Sequence, residues 1–304
     1  MGNTPEGCGS IDYDARHVNL MPSSMSPLRV FALTLLTLVA FASNSLLCRL
    51  ALKHTGIDAA TFTSIRLIAG ALTLYTIVRL RSEHNQPLGS WRSALALFAY
   101  AVAFSYAYVS LDAGTGALLL FGAVQTSMIG YGLWSGERFS RQQWLGLACA
   151  LGGLIGLLMP GTFAPPLIGS ALMLSAGAAW GIYSLRGKGA GDPTCATAGN
   201  FLRTIPMTLG LSAAAWPWAS VDTTGVLYAL ASGALASGIG YSVWYTAMRG
   251  LKATSAATVQ LSVPAIAALG GVIFLGESIT LRLVLSSAAI LGGIALVMWR
   301  KEAG

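Results

Sequence analysis

Two arginines lie inside apolar segments of the chain, where a permanent positive charge has few ordinary uses. Arg66 and Arg203 each lie roughly 12 Å from the start of their segment if that segment is helical. An arginine in hydrocarbon is costly and usually faces a partner or a cavity. Two chemistries fit: a clamp for the carboxylate of a solute, or a structural contact with helix-end carbonyls. The sequence leaves both open.

Aromatic and amide side chains form a second group inside the apolar segments. Rings can stack on an apolar or aromatic solute while hydroxyl and indole N–H groups bond its polar end. The amides could equally make hydrogen bonds between helices. The predicted substrate-binding residues are Asn44, Arg66, Tyr106, Tyr108, Gln125, Trp180, Tyr183, Asn200, Arg203, Tyr241, Trp244 and Gln260. Pro264 is a predicted kink or hinge, because proline removes a backbone donor from its helix.

Other chemistries are excluded by where the remaining polar residues lie. Every Asp, Glu and His is in a loop, in a tail or at the end of an apolar segment. A proton relay within the membrane and the buried residues of an intramembrane protease are therefore not available. The sequence has no Walker A motif, and its four cysteines show no paired spacing. We expect no enzyme activity, no metal and no cofactor.

The composition indicates an integral membrane protein. The chain has 304 residues, of which 55% are hydrophobic and 10% charged, whereas soluble domains have about 25% charged residues. The mean hydropathy is +0.67. The net charge of +7 does not indicate nucleic-acid binding, because the basic residues flank apolar segments. The expected partners are the lipid bilayer and a small-molecule substrate, while residues 1–28 form a predicted disordered tail.

Ten segments are candidates for transmembrane helices, each of which needs roughly 20 apolar residues. They are Val30–Leu52, Ala59–Leu80, Trp91–Leu111, Ala113–Ser135, Trp144–Met159, Leu167–Leu185, Thr194–Trp218, Val226–Met248, Ala253–Leu275 and Leu283–Trp299. They lack the alternating polarity of a transmembrane β-barrel. The predicted fold class is therefore an all-α polytopic membrane protein with ten transmembrane helices.

The basic residues predict the orientation of these helices. If the ten segments alternate in direction, most Lys and Arg residues fall on one side of the membrane. Arg49, Lys53 and Arg282 fall on the other side. Basic loops are retained on the cytoplasmic side. Both termini are therefore predicted to be cytoplasmic.

An internal repeat relates the two halves of the chain. Gly136-Glu137 precedes the fifth segment and Gly276-Glu277 precedes the tenth. At the same offset the match continues through Leu145/Leu285, Ala148/Ala288, Leu151/Leu291, Gly152/Gly292 and Gly153/Gly293. Ser140 and Thr280 are predicted N-caps, and Glu137 and Glu277 are expected to serve the helix starts that follow them.

The repeat unit, residues 29–160 and then 161–304, holds five predicted segments. An odd number makes the second copy enter the membrane from the opposite side, as in many alternating-access carriers. A duplicated channel or receptor could share this arrangement.

These features resemble the drug/metabolite transporter superfamily, EamA type. The resemblance is carried by Leu275-Gly276-Glu277 after Pro264, Gly152-Gly153, Gly292-Gly293, Trp180-Gly181, Arg66 and Arg203. Within that group the chain looks most similar to the YddG-like exporters of aromatic and neutral amino acids. The resemblance implies ten helices in two inverted repeats around a central cavity, in a bacterial inner membrane. The first half departs from the pattern, with Val124 in place of the proline and Phe41-Ala42 in place of Trp-Gly.

The favoured function is export of small neutral or aromatic amino acids and related metabolites by alternating access, without ATP. The alternative is a carrier of another small solute, such as a drug-like molecule, a purine or a sugar derivative. A channel is a further possibility, which single-channel currents would reveal. Unlike the small proton-coupled multidrug branch of that superfamily, the chain has no glutamate within its first segment. This difference disfavours antiport of cationic drugs.

Overall fold

The computed structural model of the protein describes residues 25–81, 89–136, 138–161, 163–187, 192–251 and 253–298, and these residues form helices without strands. Most of the predicted tail, and Glu137, lie outside them. The helices are α1 (Pro27–His54), α2 (Ala59–Arg81), α3 (Trp91–Tyr108), α4 (Ala113–Trp134), α5 (Arg141–Leu158), α6 (Leu167–Gly187), α7 (Pro193–Ala215), α8 (Thr223–Leu230), α9 (Gly240–Met248), α10 (Ala253–Gln260), α11 (Val263–Leu275) and α12 (Leu281–Met298). A 3-10 turn, Trp216–Trp218, follows α7, and a π-helical segment, Ala231–Ile239, joins α8 to α9.

Seven helical segments in the described part of the chain are long and apolar enough to cross a membrane. They are Pro27–His54, Ala59–Arg81, Ala113–Trp134, Leu167–Gly187, Thr223–Met248, Thr258–Leu275 and Leu281–Met298. Helices α3, α5 and α7 cover the other three predicted segments but are more polar, with residues such as Arg92, Arg141 and Arg203. The all-helical polytopic class is confirmed, and ten crossings stay a prediction.

Short polar side chains fix where several helices begin. Ser140 accepts a hydrogen bond from Gln143 N and forms a capping box with that residue. Thr280 Oγ1 accepts from Leu283 N at 3.1 Å. Both predicted N-caps are confirmed. The sequence predicts that Glu277 serves the start of the helix that follows it. Instead its Oε2 accepts a hydrogen bond from Ala113 N, at the start of α4, at 2.8 Å.

Helices from the two halves of the chain pack against each other in an exchanged pattern. The third helix of the first half, α3, packs on the first helix of the second half, α6. In the same way α8, the π segment and α9, which together form the third segment of the second half, pack on α1. Similarly, α4 packs on α6 and α11 packs on α1, and the pairs α2/α7 and α5/α12 are each in contact. Close approach of α5 and α12 needs glycine, because a Cβ at Gly146 would lie 2.6 Å from the Gly293 carbonyl oxygen. The core between the halves is therefore built by both.

Two interruptions break the regularity of the second half. The π segment widens the helix between α8 and α9, and such segments are frequent at functional sites. Between α10 and α11 the chain turns at Leu261 and Ser262, whose amides bond to Thr258 and Val259 carbonyls. Pro264 lies in the first turn of α11, where its missing N–H costs little. A break thus lies beside the predicted hinge; motion there stays a prediction.

Candidate functional site

Arg66 lies in α2 and is only 2% exposed. Its Nη2 atom donates a hydrogen bond to the Tyr100 hydroxyl at 3.1 Å. Its Nε and Nη1 atoms are buried and make no hydrogen bond within the described part of the chain. An unsatisfied buried donor costs about 1–3 kcal/mol, and more when it is charged. Two donors of a buried cation are therefore available to an acceptor.

Aromatic rings surround the guanidinium group of Arg66. Its central carbon lies 4.7 Å from the centre of the Phe104 ring and 5.4 Å from that of Tyr100. Cation–π contacts of this kind contribute about 0.5–2 kcal/mol. They offset part of the cost of burying the charge, but a ring face does not replace a hydrogen-bond acceptor.

One face of α3 carries the rings next to Arg66. Tyr100, Phe104 and Tyr108 are four residues apart and lie on the same side of the helix, with centroids 5.4 and 4.8 Å apart. Tyr106 is 40% exposed on the outer surface of the bundle. Two positions turn a helix by roughly 200°, which places it opposite Phe104. The structure does not bring Tyr106 to the site.

Tyr100 is a site residue that the sequence analysis missed, and the spacing of the aromatic residues could have found it. It lies four residues before Phe104 and touches both Arg66 and Trp180, whose ring centre is 4.8 Å away. Tyr108 lies deeper, and its hydroxyl donates to the Ala113 carbonyl at 3.4 Å. Tyr108 therefore belongs to a neighbouring network at the end of α3.

The other predicted aromatic residues form one cluster with Tyr100. Trp180 packs on Tyr241 with a centroid distance of 5.5 Å and an interplanar angle of 20°, and Tyr183 is 5.1 Å from Trp180. Phe41 joins Tyr241 to Trp244, at 5.7 and 5.9 Å. Helices α1, α3, α6 and α9 supply these rings. The structure thus gathers residues from both halves next to Arg66.

Two of the predicted amides hold helices together. Asn44 Oδ1 accepts a 2.5 Å hydrogen bond from Ser232 Oγ of the π segment. Asn200 Oδ1 accepts from Ser90 N at 2.9 Å, and its Nδ2 donates to the Tyr183 hydroxyl at 3.4 Å. Gln125 is buried in α4. Gln260 is the last residue of α10, next to the break at Leu261.

Arg203 matches Arg66 in the repeat, because Phe201-Leu202-Arg203-Thr204-Ile205 resembles Ser64-Ile65-Arg66-Leu67-Ile68. It nevertheless has a different environment. It is half-buried in α7, and its Nη1 donates to the Gly199 carbonyl of its own helix at 2.9 Å. This is a structural contact with a backbone carbonyl, as in the second alternative of the sequence analysis, but it lies within the helix and not at a helix end. The two positions have diverged, and the unsatisfied donors are on Arg66.

A second polar network closes one end of the bundle, which we call the Arg49 end. Arg49 of α1 lies 3.3 Å from both Asp112 and Glu277. Its Nη1 donates to the carbonyls of Tyr108 and Val109 at 2.9 and 3.0 Å. Four segments meet here: α1, the end of α3, the start of α4 and the connection between α11 and α12. A cavity of about 180 Å³ lies beside the network.

The environment of Glu277 raises the pKa of its carboxyl group above the ordinary value. Burial is the main cause, and the negative charge of Asp112 adds to it. Hydrogen bonds from Ala113 N and Arg49 act in the opposite direction and are outweighed.

Comparison with known proteins identifies the family. The model of the EamA-like transporter family matches the chain twice, over residues 28–159 and 167–299. The protein belongs to the EamA-like transporter family. The two matched regions coincide with the two halves that exchange helix contacts in the structure. The predicted resemblance to the EamA type is confirmed, while the similarity to YddG-like exporters stays a prediction.

Relatives of this EamA-like transporter include named exporters. Threonine/homoserine exporter RhtA of Escherichia coli is 32% identical over 286 residues, covering 89% of this chain and 92% of its own. The uncharacterised protein PA1977 of Pseudomonas aeruginosa is 55% identical over 271 residues, covering 89% and 94%. A solved crystal structure matches the fold with a TM-score of 0.62 at 17% identity, over 88% of this chain and 98% of that chain. The chain is thus a multi-pass membrane protein of a transporter family, related to amino-acid exporters.

Proposed function

We propose that this protein is a secondary carrier that exports small neutral or aromatic amino acids and related metabolites, without ATP hydrolysis. The observation that carries the proposal is the pair of unsatisfied donors on buried Arg66 beside an aromatic cluster from both halves. A guanidinium group suits a carboxylate, which is common to all amino acids. Rings of Trp180 and Tyr241 suit an apolar or aromatic side chain.

In the proposed site, Arg66 binds the carboxylate through Nε and Nη1 while Tyr100 holds its Nη2. Trp180, Tyr183, Tyr241 and Trp244 face the rest of the substrate, with Gln125 as a further polar contact. Asn44, Asn200 and Arg203 keep their roles between and within helices. RhtA, a threonine/homoserine exporter, supports an amino-acid substrate. Its name refers to small polar amino acids, so aromatic preference rests on the rings alone.

The proposed architecture has ten transmembrane helices in two inverted repeats, residues 29–160 and 161–304. The two separate matches to the family model and the exchanged helix contacts support this architecture. We place both termini in the cytoplasm of a bacterial cell and the Arg49 end on the outer side of the inner membrane. The positive charge of the loops at the opposite end supports that orientation.

Alternating access would need the Arg49 end to open. In this conformation Arg66 is almost completely enclosed, and the ion pairs of Arg49 hold the nearby segments together. Helices can bend at the π segment and at the break at Leu261-Ser262, because the regular α-helical hydrogen bonding is already interrupted there. Separation of the Arg49 network would release α4 and α11 from α1.

Counterflow in proteoliposomes tests the proposed function. Vesicles are loaded with unlabelled phenylalanine, methionine or threonine, and uptake of the same labelled amino acid is followed. A transient accumulation above the equilibrium level is expected for at least one of them. Absence of exchange with every amino acid would contradict the proposal, and single-channel currents without counterflow would indicate a channel. Protein-free vesicles are the control.

A further inference from the structure

The positive charge of Arg66 is not balanced by a carboxylate in the described part of the chain. The ion pairs described there join Arg49 to Asp112 and Glu277. The neighbours of Arg66 are instead the hydroxyl of Tyr100 and the rings of Tyr100 and Phe104. Because charges attract strongly in a medium of low dielectric constant, a carboxylate that reaches Arg66 neutralises a buried cation.

The described carboxylates are also unsuited to receive a substrate ammonium group beside Arg66. They lie at helix ends and already have partners: Asp58 accepts from Ser220 N, Asp192 from Thr194 N, Asp222 from Gly225 N and Glu277 from Ala113 N, and Asp112 pairs with Arg49. An ammonium group near Arg66 therefore meets hydroxyls and ring faces. It is also repelled by the like charge of the guanidinium group.

The two ends of an amino acid therefore have different surroundings next to Arg66. The carboxylate gains charge-assisted hydrogen bonds from Nε and Nη1 of Arg66, while the ammonium group gains only cation–π and hydroxyl contacts. The first interaction offsets the cost of removing the carboxylate from water. The second offsets little of the larger cost of desolvating a cation next to another cation.

We infer that this site recognises the carboxylate of its substrate and does not require the ammonium group. The substrate class is small monocarboxylates with an apolar or aromatic remainder. It includes 2-hydroxy, 2-oxo and N-acyl acids besides the amino acids themselves. Amines and amino-acid amides are excluded, because they bring a second positive charge without a negative one. The inference rests on the proposed function and extends its substrate class.

Competition against counterflow tests this inference with the wild-type protein, so that no variant has to fold. The labelled amino acid is whichever of phenylalanine, methionine and threonine exchanges fastest. Four competitors keep its side chain: the 2-hydroxy acid, the N-acetyl amino acid, the amide and the decarboxylated amine. We expect the two acids to compete at concentrations similar to that of the unlabelled amino acid. The amide and the amine should need concentrations at least about tenfold higher.

Each outcome separates this inference from the proposed function. Competition by the amide or amine at the concentration effective for the amino acid would overturn it. A hydroxy acid that fails to compete would also overturn it, while amino-acid exchange itself would still stand. If no amino acid exchanges, the labelled 2-hydroxy acids of the same side chains are tested in the same vesicles. Their exchange would support recognition of the carboxylate with the proposed function lost, and no exchange would overturn both.

Discussion

Arg49 in the first half of the chain and Glu277 in the second form an ion pair with an N–O distance of 3.3 Å. The side chains of both are nearly buried, with relative exposures of 8% and 6%. Glu277 also receives the hydrogen bond of Ala113 N at the start of α4. One carboxylate thus links α1, α4 and the connection between α11 and α12.

Arg49→Ala is expected to destabilise the protein far more than Asp112→Ala. Removing Arg49 leaves the buried Glu277 carboxylate without its cation, which costs about 3–5 kcal/mol in comparable pairs. The Asp112 side chain is 54% exposed, and such pairs contribute only about 0–1 kcal/mol. Thermal unfolding of the detergent-solubilised variants measures the difference. Equal loss of stability would show that Glu277 does not depend on Arg49.

Asp58 and Glu277 should affect stability at acid pH in opposite directions. Partial burial opposes ionisation of Asp58, but hydrogen bonds involving Thr61, Ser220 and Ala60 outweigh it and lower its pKa below 3.8. Its stabilising contribution is therefore present above pH 3.8 and is lost as the pH falls through the lowered pKa. Glu277 has the opposite sign, because its pKa is raised. Its contribution to stability is largest below pH 4.5 and is lost as the pH rises through the raised pKa of the folded protein.

Unfolding midpoints recorded between acid and neutral pH test these signs in Asp58→Asn and Glu277→Gln. Relative to the wild type, Asp58→Asn should weaken the loss of stability at the acid end. Glu277→Gln should weaken the loss that accompanies rising pH just above 4.5. Parallel curves for all three proteins would contradict both assignments.

Arg66→Ala should reduce counterflow about tenfold to a hundredfold, because charge-assisted hydrogen bonds contribute about 1.5–3 kcal/mol. Arg66→Lys keeps the charge but not the planar donor arrangement, and intermediate activity is expected. The matched control is Arg79→Ala on the same helix, since Arg79 is exposed and bonds only its neighbour Tyr75 among the interactions described. Gel filtration reports folding. Misfolding of both Arg66 variants would support a structural arginine instead of a clamp.

Gly233→Ala should disrupt the packing of the π segment on α2. A Cβ at Gly233 would collide with the Arg66 carbonyl oxygen, which is backbone and cannot move away cheaply. We expect a lower unfolding temperature and reduced counterflow, because Arg66 would shift with its helix. Gly152→Ala is the control, since a Cβ there would meet no atom within 4 Å apart from its chain neighbours and the backbone of its own helix. Equal stability of the two variants would mean that α2 and the π segment can separate freely.

The inverted arrangement predicts that Arg138 and Ser278 lie on opposite faces of the membrane. Single cysteines at these positions, in a background without the native cysteines, are labelled in intact cells with a membrane-impermeant maleimide. Ser278→Cys should react from outside, and Arg138→Cys only after permeabilisation. Labelling of both from the same side would contradict the inversion and the carrier mechanism with it.

The spacing of residues along α3 shows where sequence interpretation was incomplete. Tyr100, Phe104 and Tyr108 are one helical turn apart, and that period could have separated them from Tyr106. Arg66 and Arg203 could not be separated in this way, because they match in the repeat. Their difference arises from what each arginine contacts: Tyr100 and Phe104 of α3 for Arg66, and the Gly199 carbonyl of its own helix for Arg203.

The sequence alone determined the all-helical membrane class and the family, because hydropathy and the order of motifs can be read along one chain. Only the tertiary structure decided that Glu277 serves α4 instead of its own helix, that Ala231–Ile239 is π-helical and that Arg66 keeps unsatisfied donors. Each of these depends on how helices distant in sequence rotate and approach one another. That geometry is fixed by side-chain packing between the two halves, which no local pattern records.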